Sequence, residues 1–175
     1  VSDSAWPVKT ALAEVDRHDV ALELSADEAV RKAVAKLLDL ASLDRFEARV
    51  RMTTWLDGAA LNADWSADLV QSCSLTLTPI PVSLRGHFAI RMVPPDSPNA
   101  PANDPEAVID PDADDPPDVL ETQFVPVGDY LVEHLALELD PFPRAPGAVF
   151  VPPDDGGVIS PFAALKALKP KGEEG

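Results

Sequence analysis

The dipeptide Asp57-Gly58, with alternating runs on both sides of it, constrains this chain more than any other feature. Such a dipeptide suits the positive backbone angles of a type I′ hairpin turn. A two-residue turn at Asp57-Gly58 sets Phe46 opposite Leu69, Ala48 opposite Ala67, Val50 opposite Trp65 and Met52 opposite Ala63, all on one face. The other face then pairs Arg51 with Asp64, Arg49 with Ser66 and Thr53 with Asn62. A slip by one residue would exchange the dry and wet sides, so the register is strongly specified. One pair, Glu47 opposite Asp68, sets like charges together at the open end of the hairpin.

Alternation resumes at Leu75 and Leu77, then at Val82, Leu84, Phe88, Ile90 and Met92, which extends the hairpin into an antiparallel meander. Val20 to Leu24 reads as a short strand, and Val119 to Val125 as another. Ser25 with Glu28 three residues later forms a capping box for a helix with Val30, Ala33, Val34, Leu37, Leu38 and Ala41 at helical spacing. A second helix is expected over Val127 to Leu139, with Leu131, Leu135 and Leu139 inside and Asp140-Pro141 ending it. The expected fold is a single α+β domain: an antiparallel meander covered by two main helices. Pro79, Pro81 and Gly86 mark corners at which the meander would curl into an open barrel.

Charge divides the chain more sharply than apolarity does. The 175 residues carry 30 acidic and 14 basic side chains, a formal charge of −16, with 46% hydrophobic residues supplying a core. Eight prolines and eight acidic residues fall between Pro94 and Asp118 with no lysine or arginine, a composition expected to form a mobile acidic loop. The 22 acidic residues elsewhere still outnumber the bases, so the folded part is acidic too. Net acidity repels nucleic-acid phosphates and favours basic partners. No apolar run approaches the roughly 20 residues that span a bilayer, and Val1 to Pro7 lacks a charged n-region, so a soluble cytoplasmic protein is expected.

No residue set announces an enzyme. Asp110, Asp112 and Asp114 alternate, and Glu121 stands twelfth from Asp110 as in an EF-hand loop, but Asp115 occupies the place that needs glycine and prolines stiffen the segment. A solvated acidic loop is the better reading. His134 and Glu138 share a helix face without a third ligand. Ser72, His87 and Asp129 lack any nucleophile-elbow context. Gly156-Gly157 follows Asp154-Asp155, which would repel phosphate. Expected catalytic, cofactor and metal residues are therefore none.

Three stretches, in order, resemble the YceD family, proteins associated with accumulation of large-subunit ribosomal RNA. The first is Gln71 to Pro79 around Cys73, where family members commonly carry Cys-x-x-Cys followed by proline; here Thr76 replaces the second cysteine. The second is Val127 to Pro141, similar to the family's late helix and its exit at Asp140-Pro141. The third is Ser160 to Lys169, with Pro161, Phe162, Leu165 and Leu168 matching the family's ending. Leu137 to Gly147 looks most like the alphaproteobacterial branch. The resemblance covers nearly the whole chain from about Pro7 and implies a non-enzymatic role in large-subunit biogenesis, without a cofactor. One thiolate cannot make a tetrahedral zinc site, so Cys73 is expected to be a small apolar residue at a strand bend.

Two binding surfaces follow. A basic ribosomal protein or assembly intermediate would meet the acidic Asp110, Asp112, Asp114, Asp115 and Asp118, together with Phe162 and Leu165 of a short helix expected over residues 160–171, where Ser160 caps and Lys166, Lys169 and Lys171 lie on other faces. That helix could equally latch onto its own domain. The alternative is direct RNA contact through Arg49, Arg51, Arg85 and Arg91 on the wet face of the meander, against which intrasheet pairing competes.

Overall fold

The computed structural model describes residues 4–101 and 115–150. The expected helix over 160–171, with Pro161, Phe162, Leu165 and Leu168, and the acidic Asp110, Asp112 and Asp114 lie outside the described residues. The fold is α+β. Its elements run β1 (Thr10–Ala11), α1 (Leu12–Val15), β2 (Val20–Ser25), α2 (Glu28–Leu37), β3 (Ser42–Trp55), β4 (Gly58–Ser72), β5 (Pro79–Val93), β6 (Asp118–Val119), β7 (Phe124–Val125) and α3 (Val127–Leu137). One sheet has the order β2-β3-β4-β5-β6, antiparallel except for the parallel β5–β6 pair, and β1 pairs with β7 apart from it. It is an open sheet, not a closed barrel.

The β3–β4 hairpin keeps the expected faces but not the expected partners. Phe46 lies opposite Ala67, Ala48 opposite Trp65, Val50 opposite Ala63 and Met52 opposite Leu61, a displacement of two residues along β4. Because the side-chain period is two, an even displacement preserves the dry and wet sides. The cause is at the turn. Gly58 is already in the ladder, opposite Trp55, so Leu56 and Asp57 make the turn and Leu56 takes φ 51°. Gly58 is needed for close approach: a Cβ there would strike the Met92 carbonyl oxygen of β5. The same displacement removes the expected Glu47–Asp68 clash, since Glu47 now faces Ser66 and Arg45 faces Asp68. Beyond it the register shifts again between Leu43 and Arg45.

The inner face of the sheet is dry. Phe46, Met52, Leu61 and Ala67 are fully buried, and Trp65 is 4% exposed. Trp6 stacks obliquely on Phe46 at 4.8 Å, and Phe46 meets Trp65 edge-on at 6.1 Å. The N-terminal segment reaches this core by crossing the start of α3, where Gly128 donates its N–H to the Val8 carbonyl at 2.9 Å and a Cβ on Gly128 would collide with the Trp6 carbonyl.

Both main helices differ at their ends from expectation. Asp27, not Ser25, caps α2 by accepting the Val30 N–H at 2.8 Å. Ser25 is unavailable because it closes β2 opposite Glu47. Within α2, Val34 is buried and Val30 and Leu38 half-buried, whereas Ala33 and Leu37 face outward. α3 stops at Leu137, with Leu131, Val132 and Leu135 buried against the sheet. Leu75 and Leu77 belong to a turn rather than a strand; Leu77 is exposed at φ 58°. The strand expected over Val119 to Val125 is instead the two short pieces β6 and β7, on either side of buried Leu120.

Candidate functional site

Two of the stretches quoted for the family resemblance come together at the far end of β4. Gln71 Nε2 donates to the Asp140 carbonyl at 3.0 Å. Ser74 donates both its N–H (2.8 Å) and its hydroxyl (3.1 Å) to the Pro143 carbonyl. The Ala145 N–H donates to Cys73 Sγ at 3.3 Å, and Asp140 Oδ1 accepts the Phe142 N–H. The exit from α3 through Asp140-Pro141 is thus fastened to the turn after β4, and Pro79 resumes the sheet opposite Ser72.

Cys73 is fully buried in this junction. Ala145 N–H first, then the Thr76 hydroxyl and the Leu75 and Thr76 N–H groups, hold its thiol down to about 6, while burial opposes them. A sulfur ringed by donors resembles half of a metal knuckle. Its surroundings, however, offer no second half: among the described residues no three His, Cys, Asp or Glu side chains stand together. The junction ties two segments of the chain together.

The outer face of the sheet gathers the arginines. Arg45 Nε donates to Asp68 at 2.8 Å and its Nη1 to Glu47 at 2.9 Å, a pairing that sequence reasoning missed because the displaced register hid it. These bonds lower the Asp68 carboxyl, with Ser83 and the more distant Arg85 adding to the effect. Arg49 reaches Glu23 at 3.7 Å, with both side chains over 80% exposed, a contact of little energetic weight. Arg49 lies opposite Asp64, and Arg51 opposite Asn62 rather than Asp64. Arg91 lies over the Trp55 ring at 5.6 Å. Glu23, Glu47, Arg49 and Asp64 border an open depression of about 540 Å³ in which carboxylates outnumber the guanidinium. Such a mixed-sign surface disfavours a phosphate backbone.

The other sequence candidates are separated. His87 Nδ1 meets Asp64 Oδ1 at 3.0 Å, while Asp129 accepts from the Ser4 hydroxyl, so Ser72, His87 and Asp129 form no relay. His134 stacks flat on Phe88 at 3.7 Å, which gives it a packing role.

Of the acidic segment expected to be mobile from Pro94 to Asp118, residues 102–114 lie outside the described residues, and both described ends bond to the fold. Asp57 Oδ1 accepts from Ser97 Oγ and from Asn99 Nδ2, each at 2.9 Å, and these donors, Asn99 first, lower its carboxyl. At the other end Asp118 lies opposite Met92 and accepts the Tyr130 hydroxyl at 3.1 Å. Burial, reinforced by Asp118, raises the Tyr130 phenol. Asp115 is exposed beside this anchor.

No protein-family model, curated protein or solved structure matches this chain. The YceD resemblance rests on the residues quoted for it. No helix among the described residues is long and apolar enough to cross a membrane.

Proposed function

We propose that this chain is a non-enzymatic acidic binding factor, working in the cytoplasm in large ribosomal subunit biogenesis by holding a basic ribosomal protein or assembly intermediate. The observation that carries the binding role is one stretch of the chain. Between Arg91 and Arg144 there are thirteen acidic residues and no lysine or arginine. The eight of them that are described, Asp96, Asp115, Asp118, Glu121, Asp129, Glu133, Glu138 and Asp140, are all exposed. Exposed carboxylates that outnumber the nearby bases, of which Lys9 lies over Phe124 of β7 at 4.7 Å, steer a cationic partner and speed encounter, more so at low salt. The ribosomal context is what the YceD resemblance implies.

The test is affinity capture from a bacterial lysate, at low and at high salt, before and after nuclease. A basic large-subunit protein retained after nuclease and released by salt supports this reading. Retention of RNA alone, lost when Arg49 and Arg91 are both reversed to glutamate, replaces it with direct RNA binding through Arg49, Arg51, Arg85 and Arg91.

A further inference from the structure

We propose that the groove between the end of α2 and one side of α3 is the docking site of this chain's own segment Ser160–Lys171. On α3, Asp129, Val132, Glu133 and Ala136 follow one another at spacings of three and four residues, which sets them in a single stripe along the helix. Leu37 and Leu38, at the end of α2, border the same open groove of about 270 Å³. Leu37 is 64% exposed and Ala136 is exposed as well, so the fold leaves apolar surface in water beside two carboxylates.

Reach and charge select the occupant. Ala41 donates its N–H to the Val70 carbonyl at 2.8 Å, so the chain leaving α2 meets the same end of β4 as the junction that holds residues 140–145. Of the nine large apolar side chains left exposed among the described residues, six, Leu37 and Leu137 included, lie within five positions of these bonds. Phe150, the last described residue, is five positions beyond Ala145, and the ten residues 151–160 follow it. Extended, ten residues span up to about 33 Å, whereas the 11 residues of α3 span about 16 Å, so the whole groove is within reach. In the segment, Phe162, Leu165 and Leu168 recur at helical spacing, and Lys166 and Lys169 each follow a residue of that stripe by one position, at its flank. With Lys171 they give Ser160–Lys171 three bases and no acid, complementary to Asp129 and Glu133. Asp129 also accepts the Ser4 hydroxyl, which leaves its charge in place. A second copy related by a two-fold axis would set these carboxylates against their own duplicates, which disfavours self-pairing through the groove.

Limited chymotrypsin digestion of the full native chain tests this, because cleavage after Phe162 requires the segment to leave the groove. In the parent that cleavage should be roughly tenfold slower than in Leu168→Asp, which puts a carboxylate into the apolar stripe. Leu37→Lys and Glu133→Lys stand at exposed positions of the folded body and create no chymotrypsin site. Each should speed cleavage after Phe162 while keeping the parent's circular dichroism. Equal rates in the parent and Leu168→Asp would overturn the proposal. So would acceleration by Leu168→Asp that neither Leu37→Lys nor Glu133→Lys reproduces, since the segment would then dock elsewhere. Protection that fades as the protein is diluted would overturn it too, by assigning the groove to the segment of a second copy.

Discussion

The indole of Trp65 lies against the Cα of Gly86 and edge-on to Phe46, so substitutions at this point fail for opposite reasons. Trp65→Ala empties a buried site and should cost about 3–5 kcal/mol in urea melts. Gly86→Ala drives a methyl into the ring and should cost about 1–3 kcal/mol. Asn62→Ala, on the open face, should stay within about 0.5 kcal/mol of the parent. The burial of Trp65 is legible from alternation alone, whereas the reason for Gly86 is not, because it depends on which residue of β4 stands opposite. Cys73 gives a pH signature. Its folded thiol is held to about 6, below the ordinary value near 8.5, so from about pH 6 to 8.5 the unfolded chain binds a proton that the folded chain lacks. Stability should rise with pH across that window and fall as pH drops through about 6. Cys73→Ala should flatten the slope, and absorbance at 240 nm should report thiolate in the folded parent near pH 7.

Hairpin β3–β4 shows how an element can be read correctly by face and wrongly by partner. Alternation specifies parity, and a two-residue displacement leaves parity intact. The turn itself was misread because Asp-Gly favours positive angles, while here Gly58 answers to the backbone of β5, which local sequence does not contain. The Glu47–Asp68 clash was the one available sign of a wrong register, and Arg45, one pair further out, was its remedy. Leu56 bears the consequence: a β-turn leucine at φ 51°, exposed, in a region that L-residues enter at a cost of about 1–2 kcal/mol. Leu56→Asn should therefore raise stability by about 0.5–1 kcal/mol, seen as a higher midpoint in thermal melts. Helix α2 was legible in its apolar face and misread in its cap, since Ser25 and Asp27 both suit the role and only the β2 ladder decides between them.

At the scale of the molecule, charge was legible and its arrangement was not. Composition gives −16, but that all eight described carboxylates between Arg91 and Arg144 are exposed follows from the fold. Self-repulsion among the exposed carboxylates should make the protein more heat-stable as ionic strength rises from about 0.01 to about 0.15 M, where the screening length shrinks from about 30 to 8 Å. A salt-independent melting temperature would show the carboxylates to be compensated. The candidate junction was legible as two separate motifs, and their contact was not, because Gln71 and Asp140 are 69 positions apart. That junction also supplies a clock. The chain has a single thiol, sealed beneath Ala145, so a maleimide reagent can react only when the segment after α3 lifts from the turn after β4. Divided by the rate for a free thiol, the labelling rate counts the fraction of time the latch stands open, and a partner that grips both segments would be heard as the clock slowing.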